Sequence, residues 1–157
     1  MLFILFRLGK EQYALEAAHV IEVIPCLPLR PQPGTPNYVA GLFNYHGVVI
    51  PVLNLGMLAL GAPCSERLST RIILINYILK SGARKVLGLI AEAVTDAVKK
   101  EASDFVAAGV VAGQAPYLGT ITLDEGGMVQ CVLPEHLLPV EVERLLFDGN
   151  PSGGSTK

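Results

Sequence analysis

Short apolar runs rich in Val and Ile, separated by Gly, Pro and Asn, recur along the whole chain. Runs of about four to eight residues with that composition suit strands buried on one or both faces. The first covers residues 2–8; a turn at Gly9-Lys10-Glu11 then leads into residues 12–15, and the pair reads as a hairpin. Residues 17–24 predict a helical turn that runs into a strand at Val20-Ile21-Glu22-Val23-Ile24. Pro25, Pro28, Pro31, Pro33 and Pro36 forbid helix and remove ladder donors, which makes residues 26–37 an extended loop. A second hairpin joins residues 38–45 to 48–55 around His46-Gly47, and a short helix over 55–60 ends at Gly61-Ala62-Pro63.

Residues 72–79 form a strand that turns at Ser81-Gly82 into residues 86–90. Ile90, Val94 and Val98 repeat every four residues, as on a helix, but Thr95 and the neighbouring strands favour a continued, bulged strand over 92–99. Residues 106–116 are a loop of small residues. The last hairpin links 117–123 to 128–133 through Asp124-Glu125-Gly126-Gly127, and Pro134 starts a short helix that runs to Leu138. Residues 141–148 add a short C-terminal helix or extension, and 149–157 a polar, disordered tail. Nine or ten short strands at hairpin spacing, with few long helical patterns, predict an all-β domain. Closure into barrels would remove the exposed edges of such apolar strands.

Composition narrows the function. Apolar residues make up 51% of the chain and charged ones 17%, enough for a packed interior and too apolar for disorder. A net charge of −2 without clustered Lys and Arg argues against a nucleic-acid partner. The apolar start, Met1 to Phe6, lacks the basic region and cleavage site of a secretion signal. No stretch approaches the ~18 apolar residues of a membrane span, so a cytoplasmic protein without direct membrane insertion is expected. Cys26, Cys64 and Cys131 are odd in number and widely spaced, which suits neither a disulfide framework nor a metal knuckle.

Catalytic chemistry is hard to find. No G-x-S-x-G elbow or phosphate loop is present, and His19, His46 and His136 are scattered without metal-ligand spacing. Glu135 and Glu141 stand in no special context. The expectation is a non-enzyme with no catalytic residue, no cofactor and no metal.

The block from Pro36 to Leu55 is distinctive. It runs Pro36-Asn37-Tyr38-Val39-Ala40-Gly41-Leu42-Phe43-Asn44-Tyr45-His46-Gly47-Val48-Val49-Ile50-Pro51-Val52-Leu53-Asn54-Leu55. It resembles the signature of the CheW family, in which a glycine, an N-x-R-G turn and a proline-led apolar run ending in D-L follow at this spacing. Upstream, Tyr13-Ala14-Leu15 and Val20 to Ile24 are similar to the family's Y-x-L and V-x-E segments. Downstream, Gly88 to Val94 and the hairpin from Tyr117 to Leu133 also match, so the resemblance runs from about Phe3 to Leu138.

That resemblance implies two five-stranded SH3-like β-barrels side by side, interleaved within residues 1–140, with short helices. It implies an adaptor that couples the cytoplasmic tip of a chemoreceptor to the regulatory domain of a CheA-type histidine kinase, at membrane-associated arrays. By the same resemblance, receptor contact falls to Val20, Glu22, Ile24, Gly41, Asn44, His46 and Gly47. The chain departs from the family at His46, Asn54 and Glu92, which replace an arginine and two aspartates. Since the family's glutamate and arginine lie close enough to pair, Glu22 and His46 are expected to meet, and such a contact would tie partner binding to pH between about 6 and 8. Gly41→Asp is expected to impair receptor coupling more than folding. The competing expectations are a barrel module for a small ligand or oligonucleotide, and a regulator of the same fold that binds only one of the two partners.

Overall fold

The computed structural model describes residues 1–107 and 115–148. Nine strands, β1 (Leu2–Leu8), β2 (Glu11–Glu16), β3 (Val20–Pro25), β4 (Val39–Tyr45), β5 (Val48–Asn54), β6 (Arg71–Ile78), β7 (Arg84–Lys99), β8 (Leu118–Asp124) and β9 (Gly127–Val132), join in one hydrogen-bonded network. The helices are short: α1 (Leu55–Leu60), α2 (Val140–Glu143) with a wider turn continuing it (Arg144–Asp148), and single 3-10 turns at Ala17–His19, Ala102–Asp104 and Pro134–His136. The expected helix over 134–138 is thus one turn. The expected tail over 149–157, and residues 108–114 of the expected loop, lie outside the described residues.

β7 is the joint of the fold. Its first half pairs with β6, from Arg84–Ile78 to Ala91–Arg71, and its second half pairs with β1, from Glu92–Arg7 to Lys99–Leu2. Between the halves Ala93 adopts a φ of +51°, and the register against β1 slips between Leu5 and Arg7. One residue forced out of the ladder bends a strand and raises its twist, so a single strand can serve two barrels. The first barrel has the order β3-β6-β7-β5-β4 and the second β7-β1-β2-β9-β8. Two parallel pairs, β5–β7 and β2–β9, are needed for these orders, beside the four hairpins read from the sequence. Each barrel is then drawn shut by one isolated bridge from the segment that follows an edge strand. Arg30 pairs with Leu42 after β3, and Val106 pairs with Ile121 after β7.

The strands lack polar alternation because both faces are buried. On β6, Ile73, Ile75 and Tyr77 enter the apolar layer between the barrels, while Ile72 and Leu74 fill the first barrel. On β5, Leu53 joins the shared layer, and Ile50 and Val52 point inward. β1 divides in the same way, with Phe6 and Leu8 in the shared layer and Phe3 inside the second barrel. The first barrel's interior is narrow: a Cβ on Gly88 would come within 3.0 Å of both Ile72 and Val52.

The C-terminal helix is held on the β6–β7 hairpin by one buried carboxylate. Glu143 accepts hydrogen bonds from Tyr77 Oη (2.7 Å), Lys80 Nζ (3.1 Å) and the Lys80 amide (3.2 Å), and Lys80 Nζ also donates to the Leu138 carbonyl at 2.8 Å. Phe147 stacks on Tyr77 with ring centres 6.1 Å apart. Burial by itself would raise the Glu143 carboxyl, but the bonds from Tyr77 and Lys80 outweigh it and hold the carboxyl below its ordinary value.

A depressed folded value contributes stability that is present above the unfolded pKa of about 4.3 and is lost as pH falls through the folded one. Glu143→Gln should therefore lower stability at neutral pH by about 1–3 kcal/mol. Its urea midpoint should also change less than the wild type's between neutral and acid pH. Equal pH dependence in the two proteins would contradict the clamp.

Candidate functional site at the β4–β5 hairpin

His46 and Gly47 form the two-residue turn between β4 and β5, with φ of +51° and +88°. Positive φ at both positions marks the hairpin turn whose twist matches its strands. Histidine is among the few residues with side chains that tolerate it. Asn44 caps the turn by accepting the Gly47 amide at 2.8 Å. This geometry sets Tyr45 opposite Val48, with Ile50 opposite Phe43 one step deeper. All four side chains therefore lie on the face that looks into the first barrel.

β3 and β4 are the edge strands of that barrel, and side chains tie them together at this end. The Tyr45 hydroxyl donates to a Glu22 carboxylate oxygen. Ile24, two residues further along β3, packs with Tyr45 and Phe43 on the barrel core. The hydrogen bond to Glu22, then partial desolvation, then the carboxylate's charge push the Tyr45 hydroxyl above its ordinary value. The expected Glu22–His46 pairing is not formed. Tyr45 is the last strand residue facing the barrel end and reaches Glu22, whereas His46 already belongs to the turn; its ring meets the Tyr45 ring edge-on with centres 4.4 Å apart. Among the described residues the only ion pair is Lys80–Glu143.

Glu22, Asn44, His46 and Gly47 are therefore brought together, all exposed, at one end of the first barrel. Val20 and Ile24 are half-buried against the shared layer and the barrel core, respectively. Gly41 belongs to the barrel closure. It is buried at a φ of +148°, and a Cβ there would lie 2.6 Å from the Arg30 carbonyl oxygen. Two backbone bonds of 2.8 Å between Arg30 and Leu42 seat the proline-rich loop on this spot. Gly41→Asp is expected from the resemblance to act on receptor coupling more than on folding; the geometry adds a direct cost to folding, since any side chain there displaces the closing bridge.

Three residues of this surface were not singled out from the sequence: Tyr45, and Val48 and Val49, which are 56% and 66% exposed. Strand phase could have exposed Tyr45, which lies two residues after the inward Phe43.

The other departures anchor the loop after α1. Asn54 Oδ1 accepts the amides of Met57 and Cys64, both at 3.1 Å, and Glu92 accepts the Ser65 amide at 2.8 Å. Cys64, buried beneath that loop, has its thiol pushed up to about 11, chiefly by burial, so it stays protonated. A second exposed apolar surface lies on the other barrel. Val106, Leu123 and Met128, 63%, 72% and 62% exposed, rim a depression of about 530 Å³ together with Lys100 and Asp104. Among the described residues no three His, Cys, Asp or Glu side chains gather as metal ligands, and no helix is long and apolar enough to cross a membrane.

Comparison with known proteins places this geometry. The family model for the CheW-like domain matches residues 2–142. A probable chemotaxis protein CheW of Rhizobium etli is 29% identical over 93 residues, 59% of this chain and 57% of that protein. The chemotaxis protein CheW of Helicobacter pylori is 28% identical over 103 residues, 65% of this chain and 59% of that one. The matched stretches thus span less than two thirds of these relatives' length. The crystal structure of the scaffolding protein TtCheW from Thermoanaerobacter tengcongensis superposes with a TM-score of 0.80 at 24% identity, covering 92% of both chains, so the two-barrel fold is shared.

Gly41→Ala should lower the urea midpoint, with about 1–3 kcal/mol lost to backbone strain alone; wild-type stability would refute the closure role. Asn54→Ala should cost about 1–2 kcal/mol through loss of the cap, while Asn54→Asp, which keeps both acceptor bonds, should match or exceed the wild type. Thermal unfolding of the pair tests this.

Proposed function

The chain belongs to the CheW-like domain family, and on that premise we propose that it is a non-catalytic adaptor. It joins the cytoplasmic tip of a chemoreceptor-like protein to the regulatory domain of a CheA-type histidine kinase, in the cytoplasm at membrane-associated arrays. The observation that carries this reading is the presence of two exposed apolar surfaces on different barrels. One is formed by Val48 beside the Tyr45 ring, the other by Val106, Leu123 and Met128. Exposed apolar clusters mark interaction sites. Two of them on separate barrels allow two partners to be held at once.

The filled first barrel supports binding by its outer surface. Ile50, Val52, Ile72 and Leu74 are fully buried inside the first barrel, and Gly88 has no room for a side chain there. That leaves the first barrel's interior no space for a ligand. In this proposal the receptor lies against the end of the first barrel, where Glu22, Asn44, His46 and Gly47 are exposed and Val20, Ile24 and Gly41 hold the strands in place. The second barrel remains free for the kinase domain. An interface of standard size takes about 800 Å² per partner, which each barrel can supply.

Size-exclusion chromatography of the chain with a receptor-tip hairpin and a kinase regulatory domain should give a ternary peak containing all three. Competition between the two partners for the chain would defeat the bridging role.

A further inference from the structure

The Glu22 carboxylate stands exposed at the end of the first barrel, and its one hydrogen-bond partner among the described residues is the neutral Tyr45 hydroxyl. No Lys, Arg or His side chain among the described residues forms an ion pair with it. It shares the barrel end with the exposed Asn44 and His46, and apolar side chains lie beside its Tyr45 partner. Val48 lies directly opposite Tyr45 in the ladder and shares its face, and Phe43 and Ile24 pack on the core just beneath. A surface laid over Val48 and the Tyr45 ring would also remove Glu22 from water. Burying an ionised carboxylate without a cation is costly, and a phenol supplies one hydrogen bond but no charge. A cationic donor from the incoming surface would replace the lost hydration with a charge-assisted bond.

We infer that the surface built by Glu22, Tyr45 and Val48 accepts a basic side chain, an Arg or Lys flanked by apolar residues, from the receptor hairpin. This rests on the receptor reading above and adds the sign of the charge that the partner brings. Tyr45 acts as a positioning residue: it holds the carboxylate over the barrel end and leaves its other oxygen free for the cation. A tip presenting a carboxylate at this point would be rejected by like charge, so the same contact sets specificity.

The test uses the full chain and a recombinant cytoplasmic hairpin tip from a chemoreceptor of the host. The tip is prepared in its natural form and with its exposed Arg and Lys residues changed to Gln. Fluorescence anisotropy at about 50 mM and about 300 mM salt gives the affinities. Glu22→Gln should weaken binding of the natural tip ~10-fold at low salt and lose most of the salt dependence. Removing the tip's basic residues should weaken the wild type by a similar factor and leave Glu22→Gln unchanged, as two halves of one contact require. Tyr45→Phe keeps the charge and should stay within about threefold of wild type. The inference is overturned if Glu22→Gln, shown folded by circular dichroism, binds the natural tip as the wild type does. It is also overturned if the wild type binds both tips equally. A wild type that does not bind the natural tip at all refutes the receptor reading, and this inference with it.

Discussion

The apolar layer between the two barrels is the contact on which everything else rests. Phe6, Leu8 and Leu15 meet Leu53, Ile73, Ile75, Leu87 and Leu89 there, all buried. Burial of side chains of this kind is worth roughly 1.5–3 kcal/mol each before conformational entropy is counted. A five-stranded barrel of about 70 residues has a small core of its own. Among the described residues the first barrel's buried cluster holds four residues and the second's three, against twenty in the shared layer. Neither barrel's own cluster compares with the layer they share, so the barrels are best regarded as one folding unit with two outer surfaces.

Each barrel finishes on an isolated bridge instead of a full strand pair, Arg30–Leu42 in the first and Val106–Ile121 in the second. At the first barrel the remaining seam is spanned by Tyr45 and Glu22, side chain to side chain. Main-chain ladders are stiff and uniform, whereas a side-chain seam presents chemistry to solvent. Both exposed apolar surfaces lie beside such closures: Val48 next to Tyr45, and Val106 at the bridge to Ile121. The exposed apolar surfaces thus lie where the barrels are least completely paired.

Polar groups follow the same division of labour. Glu143 is buried and fully engaged, with Tyr77 and Lys80 supplying three donors, and it fixes the C-terminal helix. Asn54 and Glu92 are spent on backbone amides of the loop after α1. Glu22 differs from these three in being exposed and in meeting only the hydroxyl of another side chain. Coulombic interaction at a partly desolvated surface is far stronger than in bulk water. A partner that covers the barrel end would therefore change the energy of that carboxylate.

Strand positions, the bulged continuation through residues 92–99, the His46-Gly47 turn, the proline-rich loop and the α1 stop at Gly61 could all be read from the sequence. Each is governed by a local rule: side-chain period, proline's missing donor, or glycine's freedom at positive φ. The family resemblance supplied the two-barrel arrangement, which no local pattern specifies. The parallel pairs β2–β9 and β5–β7, the seating of Arg30 against Gly41, and the clamp at Glu143 came from the tertiary structure. So did the replacement of the expected Glu22–His46 contact by Glu22–Tyr45. Glu22 and Tyr45 are 23 residues apart and Tyr77 and Glu143 are 66 apart. Contacts at such separations are decided by how two strands are rotated and where a ladder slips, and a chain's local preferences carry no information about either.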